Sequence, residues 1–216
     1  MDNAIIIPAC NEEKTIAGVI TKTKKYCLNI IVVDDGSTDA TSPIAKRAGV
    51  AVLHHKVNLG KGAALKTGCE YALQQGAEKI VVLDADSQHD PAEIPKFLEA
   101  LKENEIVFGY RQVPETMPFV LRFGNAVINQ SLRLFYNVRI RDSQCGYRAF
   151  TAAAYRQLQW EAQDYYVETE IILNAGREKL KHTSIPIKTI YADKYKGTTV
   201  LDGICIVAKM LGGKLW

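Results

Sequence analysis

Ile80-Val81-Val82-Leu83-Asp84-Ala85-Asp86-Ser87-Gln88-His89-Asp90-Pro91 is the stretch that decides the fold. Its apolar run has no polar alternation, so it reads as a strand buried on both faces. The strand passes directly into Asp-x-Asp, then a Gln, then a turn closed by Pro91. An acidic turn after a strand can be simple helix capping, and Asp90 fits that role. It stands before Pro91 at N1, with Glu93 in the first turn. Asp84 and Asp86 are not needed for capping. Two carboxylates one residue apart at a strand end can share one hard cation through oxygen ligands. Mg2+ or Mn2+ held this way usually bridges to substrate phosphates. The stretch therefore points to an enzyme acting on a phosphorylated donor such as a nucleotide-sugar.

Strands and helices alternate on either side of it. Strands are expected at Ala4–Ile7, Ile30–Val33, Ala51–Leu53, Lys79–Leu83 and Glu105–Gly109. Helices are expected at Glu12–Lys25, Thr38–Ala48, Lys61–Gln74 and Pro91–Lys102. This pattern predicts an α/β fold, with a mostly parallel central sheet and helices on both faces. Ligands in such sheets bind at the carboxyl ends of the strands. The polar clusters Pro8–Glu12, Asp34–Asp39 and Asp84–Gln88 all fall there. The later half is less regular. Phe119–Asn137 has an apolar, basic, helical character, and Asp142–Phe150 reads as a loop entering a strand. Tyr166–Glu178 is helical, Ser184–Tyr191 strand-like, and Leu201–Leu211 a last apolar helix.

At 216 residues the chain suits one domain, 1–216. Apolar content of 47% and charged content of 24% are ordinary for a globular protein. A net charge of +3 is too small to argue for nucleic acid. No signal peptide and no membrane-spanning stretch is expected, which places the chain in the cytoplasm. The five cysteines are scattered and unpaired in pattern, so they read as reduced thiols rather than a disulfide or zinc framework. His54 and His55 are adjacent and should point to opposite faces of a strand.

Three further clusters carry polar chemistry. In Pro8-Ala9-Cys10-Asn11-Glu12-Glu13, a strand ends and a helix begins. Free amides and a carboxylate there can hold a base or ribose, or simply cap the helix. In Asp34-Asp35-Gly36-Ser37-Thr38-Asp39, two consecutive acids exceed what a turn requires. In Asn58-Leu59-Gly60-Lys61-Gly62, two glycines flank a Lys at a helix start. That arrangement is either a phosphate-binding loop or a flexible connection, and it is not a Walker A motif.

Together with Asp84-Ala85-Asp86-x-Gln88-His89-x-Pro91 and Asp142-Ser143-Gln144-Cys145-Gly146-Tyr147-Arg148-Ala149-Phe150, these segments resemble the family 2 glycosyltransferases of the GT-A (Rossmann-like) nucleotide-diphospho-sugar transferase fold. Within that family they resemble dolichol-phosphate mannosyltransferase and polyprenol-phosphate glycosyltransferase domains. The resemblance spans Ala4 to about Tyr191. It implies a nucleotide-sugar and metal half, 1–110, and an acceptor half with a C-terminal helix, 111–216. Pro8, Ala9, Asn11, Glu12, Asp35, Lys61 and Asp84 would bind the nucleotide-sugar, and Asp86 and Gln88 the Mg2+ or Mn2+. Asp86, Arg111, Arg122 and Asp142 would be catalytic. Arg122, Arg148 and Lys194 would lie on the acceptor side, Arg148 either structural or binding phosphate. The family's later Arg and Ser-Lys pair is replaced here by Asp193-Lys194-Tyr195-Lys196-Gly197-Thr198-Thr199.

The implied reaction moves a sugar from GDP-mannose or a UDP-sugar to a polyprenyl or dolichyl phosphate, with inversion. An anionic phosphate nucleophile needs no protein base, whereas a hydroxyl acceptor would need one, with Asp142, Glu168 and Glu170 as candidates. The alternatives are a soluble or protein hydroxyl acceptor, a nucleotidyltransferase, or a non-catalytic nucleotide-sugar binder. Phe119–Asn137, with Arg122, Arg133, Arg139 and Arg141, and Leu201–Leu211 with Lys209, Lys214 and Trp216, suit contact with a membrane surface. Core helices or a homodimer interface are the other uses for these segments.

Overall fold

The computed structural model describes residues 2–111, 130, 140–164, 166–188 and 190. The Phe119–Asn137 segment (Gln130 apart), Arg122, Lys194 and Leu201–Leu211 lie outside these residues. Among the described residues, seven strands form one sheet in the order β3-β2-β1-β4-β6-β5-β7. They are β1 (Asn3–Ala9), β2 (Ile30–Asp35), β3 (Ala51–His55), β4 (Lys79–Val82), β5 (Ile106–Arg111), β6 (Arg148–Thr151) and β7 (His182–Ile187). All pairings are parallel except those of β6, which runs antiparallel to both β4 and β5. Helices with bounds among the described residues are α1 (Ile16–Thr23), α2 (Thr41–Arg47), α3 (Lys61–Gln74), α4 (Ile94–Ala100), α5 (Ala152–Leu158) and α6 (Val167–Arg177).

The uninterrupted apolar strands supply two cores, one on each face. Ile5, Ile7, Ile30 and Val32 pack with Ile16, Ile20, Ile94 and Phe97. Ala4, Ile6, Ile31 and Val33 pack with Leu65, Cys69, Ile171 and Ile172. The pleat sends successive residues of each strand into opposite cores, which is why Ile5-Ile6-Ile7 and Ile30–Val33 are apolar without a break. Pro8 lies in central β1, where a missing N–H normally costs a ladder bond. Here β4 ends at Val82, and the last bond on that side runs from Leu83 N–H to Ile6 O, 3.2 Å. Pro8 thus sits past the ladder.

Several boundaries differ from the sequence expectation. Helix α1 starts at Ile16 rather than Glu12, and α2 at Thr41 rather than Thr38. The residues in between are held in loop contacts described below. The Pro91 helix opens as a 3-10 turn, Pro91–Glu93, with Asp90 accepting from Ala92 N–H at 3.0 Å. Helix α5 was not expected. Its signal is Thr151, whose hydroxyl accepts from Ala154 N–H at 3.1 Å before an alanine run.

Candidate active site

The chain winds from β1 to β2 to β3 in one direction, then places β4 on the other side of β1. That reversal opens a crevice at the carboxyl ends of β1 and β4, where α/β sheets bind ligands. Pro8 and Ala9 form one wall and Leu83 and Asp84 the other. The antiparallel sense of β6 brings its first residue, Arg148, to the same edge.

The loops after β1 and β2 are joined reciprocally. Asn11 N–H donates to Ser37 Oγ (2.9 Å), and Thr38 N–H donates to Asn11 Oδ1 (2.9 Å). Glu12 N–H donates to Thr41 Oγ1 (2.8 Å), and Ala40 N–H donates to Glu13 Oε2 (3.1 Å). Asn11 is held at φ 56°, a left-handed conformation that Asn tolerates better than most residues. These contacts explain why both helices begin late.

Asp35 is buried, and both of its oxygens are engaged. Oδ1 accepts from Leu59 N–H (2.9 Å) and contacts His55 Nδ1 (2.7 Å), while Oδ2 accepts from Gly60 N–H (2.8 Å). His55 also contacts Thr67 Oγ1 through Nε2, 3.0 Å. The neighbouring pair Asp34–His54 stands on the opposite face, as the pleat requires. Asp35 therefore shapes the 58–62 loop. That loop is not an open phosphate cradle. Gly62 N–H donates to Gln163 O (2.7 Å), and side chains at Gly60 and Gly62 would collide with the carbonyls of Gln163 and Ala162.

Lys61 leaves this loop inward. Its Nζ lies 2.6 Å from Asp84 Oδ1 and 2.7 Å from Glu168 Oε1. Glu168 is paired in turn with Arg148, which is 1% exposed and also donates to Cys145 O at 2.9 Å. The result is an alternating chain of charge, Arg148–Glu168–Lys61–Asp84. Gly146 leaves the room for it, since a Cβ there would fall 2.6 Å from Asp84 Oδ2 and 2.8 Å from Lys61 Nζ. Burial alone would push the Asp84 carboxyl up, but Lys61, with His89, pulls it down to about 2. Burial lowers the Lys61 ammonium, and its two carboxylates more than reverse that. The Asp86 carboxyl is pushed up by burial and by the charge of Asp84.

Ser87, at φ 66°, folds the loop so that Gln88 N–H donates to Asp86 Oδ1 at 2.9 Å. Strained backbone of this kind concentrates at functional sites. Asp86 Oδ2 has no protein partner among the described residues. No group of three His, Cys, Asp or Glu side chains encloses a metal among them either. An oxygen set of Asp86, the Gln88 amide and the adjacent Asp84 suits Mg2+ or Mn2+, which keep positions for water and phosphate oxygens. The loop is braced by Tyr147, which stacks on Phe97 (4.4 Å) and donates to Asp90 O (3.3 Å). It is also braced by Ile190 N–H, which donates to Gln88 O at 3.0 Å.

Arg111, the last residue of β5, forms a two-point pair with Asp142. Nε lies 2.7 Å from Oδ2, and Nη2 lies 3.0 Å from Oδ1. Glu170 accepts from the Glu161 and Ala162 amides at 3.0 and 2.7 Å. Of the two roles open to Arg148, its burial favours the structural one. The sequence reading left out Gly146, Tyr147 and His55 as site-shaping residues. The clue to Gly146 is its place just before Tyr147 and Arg148, both of which pack inward.

A Rossmann-like sheet with an Asp-x-Asp loop at its switch point is the architecture of GT-A nucleotide-diphospho-sugar transferases. Residues 4–158 match Glycosyl transferase family 2, and the chain belongs to that family and is a glycosyltransferase. It is similar to the UDP-N-acetylglucosamine--dolichyl-phosphate N-acetylglucosaminyltransferase of Methanococcus voltae, at 34% identity over 96% of this chain and 94% of that protein. It is also similar to the polyprenol monophosphomannose synthase of Mycolicibacterium smegmatis, at 26% identity over 95% and 85% respectively. Among solved structures, glucosyl-3-phosphoglycerate synthase from Mycobacterium tuberculosis, crystallised with Mn2+ and UDP-glucose, shares the fold. Its TM-score is 0.75 at 19% identity, over 98% of this chain and 78% of that one.

Proposed function

We propose that the protein is a metal-dependent, inverting glycosyltransferase that moves a sugar from GDP-mannose or a UDP-sugar to a polyprenyl phosphate. The observation that carries the acceptor class is the state of the three candidate bases. Asp142 is paired with Arg111, Glu168 with Arg148 and Lys61, and Glu170 with two backbone amides. A hydroxyl acceptor must lose a proton to a positioned base. A phosphate monoester arrives already anionic and needs none. The lipid-phosphate acceptors named for the Methanococcus and Mycolicibacterium relatives support the same class.

In this reading Pro8, Ala9, Asn11 and Glu12 border the nucleoside, and Asp35 holds the 58–62 loop beside it. Asp86 and Gln88 hold Mg2+ or Mn2+, which when bound offsets charge on the departing nucleoside diphosphate. Arg111, oriented by Asp142 at the end of β5, is assigned to the donor phosphates. The acceptor phosphate oxygen attacks the anomeric carbon opposite the diphosphate. The new C–O bond forms as the old one breaks, and no proton moves. Arg122 and Lys194 are assigned to the acceptor phosphate, in a second half, 111–216, built for the acceptor. Among the described residues no helix is long and apolar enough to cross a membrane. Phe119–Asn137 is proposed to meet the membrane surface and deliver the lipid.

The test is incubation of the protein with Mn2+, labelled GDP-mannose or UDP-sugars, and polyprenyl phosphate, followed by extraction into organic solvent. Label in the organic phase, lost with excess chelator, is the expected result. Label confined to the aqueous phase, or turnover indifferent to chelator, overturns the reading. Flotation with anionic liposomes checks membrane contact separately.

A further inference from the structure

We propose that Glu168 is a positioning residue for the metal loop, acting through Lys61 to fix which oxygen of Asp84 faces the donor. The inference rests on the metal-dependent reading above. Glu168 is 3% exposed, and both of its oxygens are taken, Oε2 by Arg148 and Oε1 by Lys61 at 2.7 Å. It stands in the first turn of α6, whose next turn is sealed in the core by Ile171 and Ile172. Lys61 is fixed at its backbone on both sides, by Asp35 at Gly60 and by Gln163 at Gly62. Its ammonium therefore has a fixed origin and two fixed carboxylate neighbours.

Two consequences follow for the Asp-x-Asp loop. Asp84 Oδ1 is occupied at 2.6 Å by Lys61, so Asp84 offers Oδ2, which stands 3.8 Å from His89 Nδ1, a nitrogen that accepts from the Asp84 amide. The charge of Asp84 is also balanced before any cation arrives, leaving Asp86 as the uncompensated carboxylate. A cation then gains little from the loop alone and most from the loop plus a diphosphate. Cation and nucleotide binding are coupled by a helix that belongs to the other half of the chain. Residues that orient a metal site from behind typically change its metal affinity by about 10–100-fold when altered.

The experiment is calorimetric titration of UDP and of GDP into the protein, in Mn2+ and in EDTA, with thermal melting alongside. The wild type is expected to bind one nucleotide more tightly in Mn2+. Glu168→Gln is expected to stay folded and to lose roughly 10–100-fold of that Mn2+ enhancement, with affinity in EDTA unchanged. Lys61→Met, which leaves Arg148 and Glu168 paired, is read by the ratio of its affinities in Mn2+ and in EDTA, and loss of that ratio decides the matter if Glu168→Gln does not fold. A folded Glu168→Gln with the full enhancement overturns the inference, as does a Lys61→Met that loses affinity equally in Mn2+ and EDTA. A wild type with no Mn2+ enhancement instead overturns the metal reading itself, and this inference with it.

Discussion

The loops ending β1 and β2 share a sheet edge with the loop ending β4, yet opposite means fix them. The first two are joined by single bonds to backbone amides near the surface, several of them neutral, such as Asn11 to Ser37 and Thr38. The third is held from beneath by the buried charge chain from Arg148 to Asp84. Neutral hydrogen bonds exchange with water, so each contributes modestly and can be lost singly. A buried charge that loses its partner has no water to turn to. One side of the crevice should therefore degrade gradually under mutation and the other abruptly.

The sharpest way to break that contrast is Arg148→Met. It takes from Glu168 its fully buried partner, leaving Lys61 alone to share Glu168 with Asp84, and should lower unfolding free energy by about 3–5 kcal/mol in denaturant titration. A loss under 1 kcal/mol would place the β4 loop with its neighbours. Next comes Asp86→Ala, which removes a carboxylate outside the charge chain. Turnover should fall by about 10²–10³-fold with the melting temperature nearly unchanged, as measured by donor consumption in Mn2+. Asp35→Ala should cost about 1.5–3 kcal/mol of stability, because its acceptors hold Leu59 and Gly60. It should also weaken nucleoside diphosphate binding by calorimetry. The smallest effect belongs to Ser37→Ala, about 1 kcal/mol, with binding retained.

Much of the fold is legible because the sheet is covered on both faces. That condition writes Ile5-Ile6-Ile7, Ile30–Val33 and Ile80–Val82 as unbroken apolar runs. Helix α3 occupies Lys61–Gln74 as expected, since Gly60 marks its start. Asp84 and Asp86 stand out because capping does not require them. The starts of α1 and α2 are not legible, because Asn11 to Glu13 and Thr38 to Asp39 answer to each other across loops rather than to their own helices. The partnership of Glu168 with Lys61 and Arg148 is hidden for the same reason. A Glu in a first helical turn already has a local explanation in the helix dipole. The double engagement of Asp35 is invisible too, since its donors are backbone amides that any residue could supply.

The reversal of β6 against both its neighbours has a consequence for how the protein is made. A ribosome releases β4 and β5 well before Arg148–Thr151, yet β6 is the strand that lies between them. Until it arrives, β4 presents a bare edge with Ile80, Val81 and Val82, the kind of template on which chains stick to one another. A nascent chain halted after Arg111 carries both aspartates of the loop but neither the strand that closes the gap nor Glu168. Such a fragment should aggregate rather than bind nucleotide.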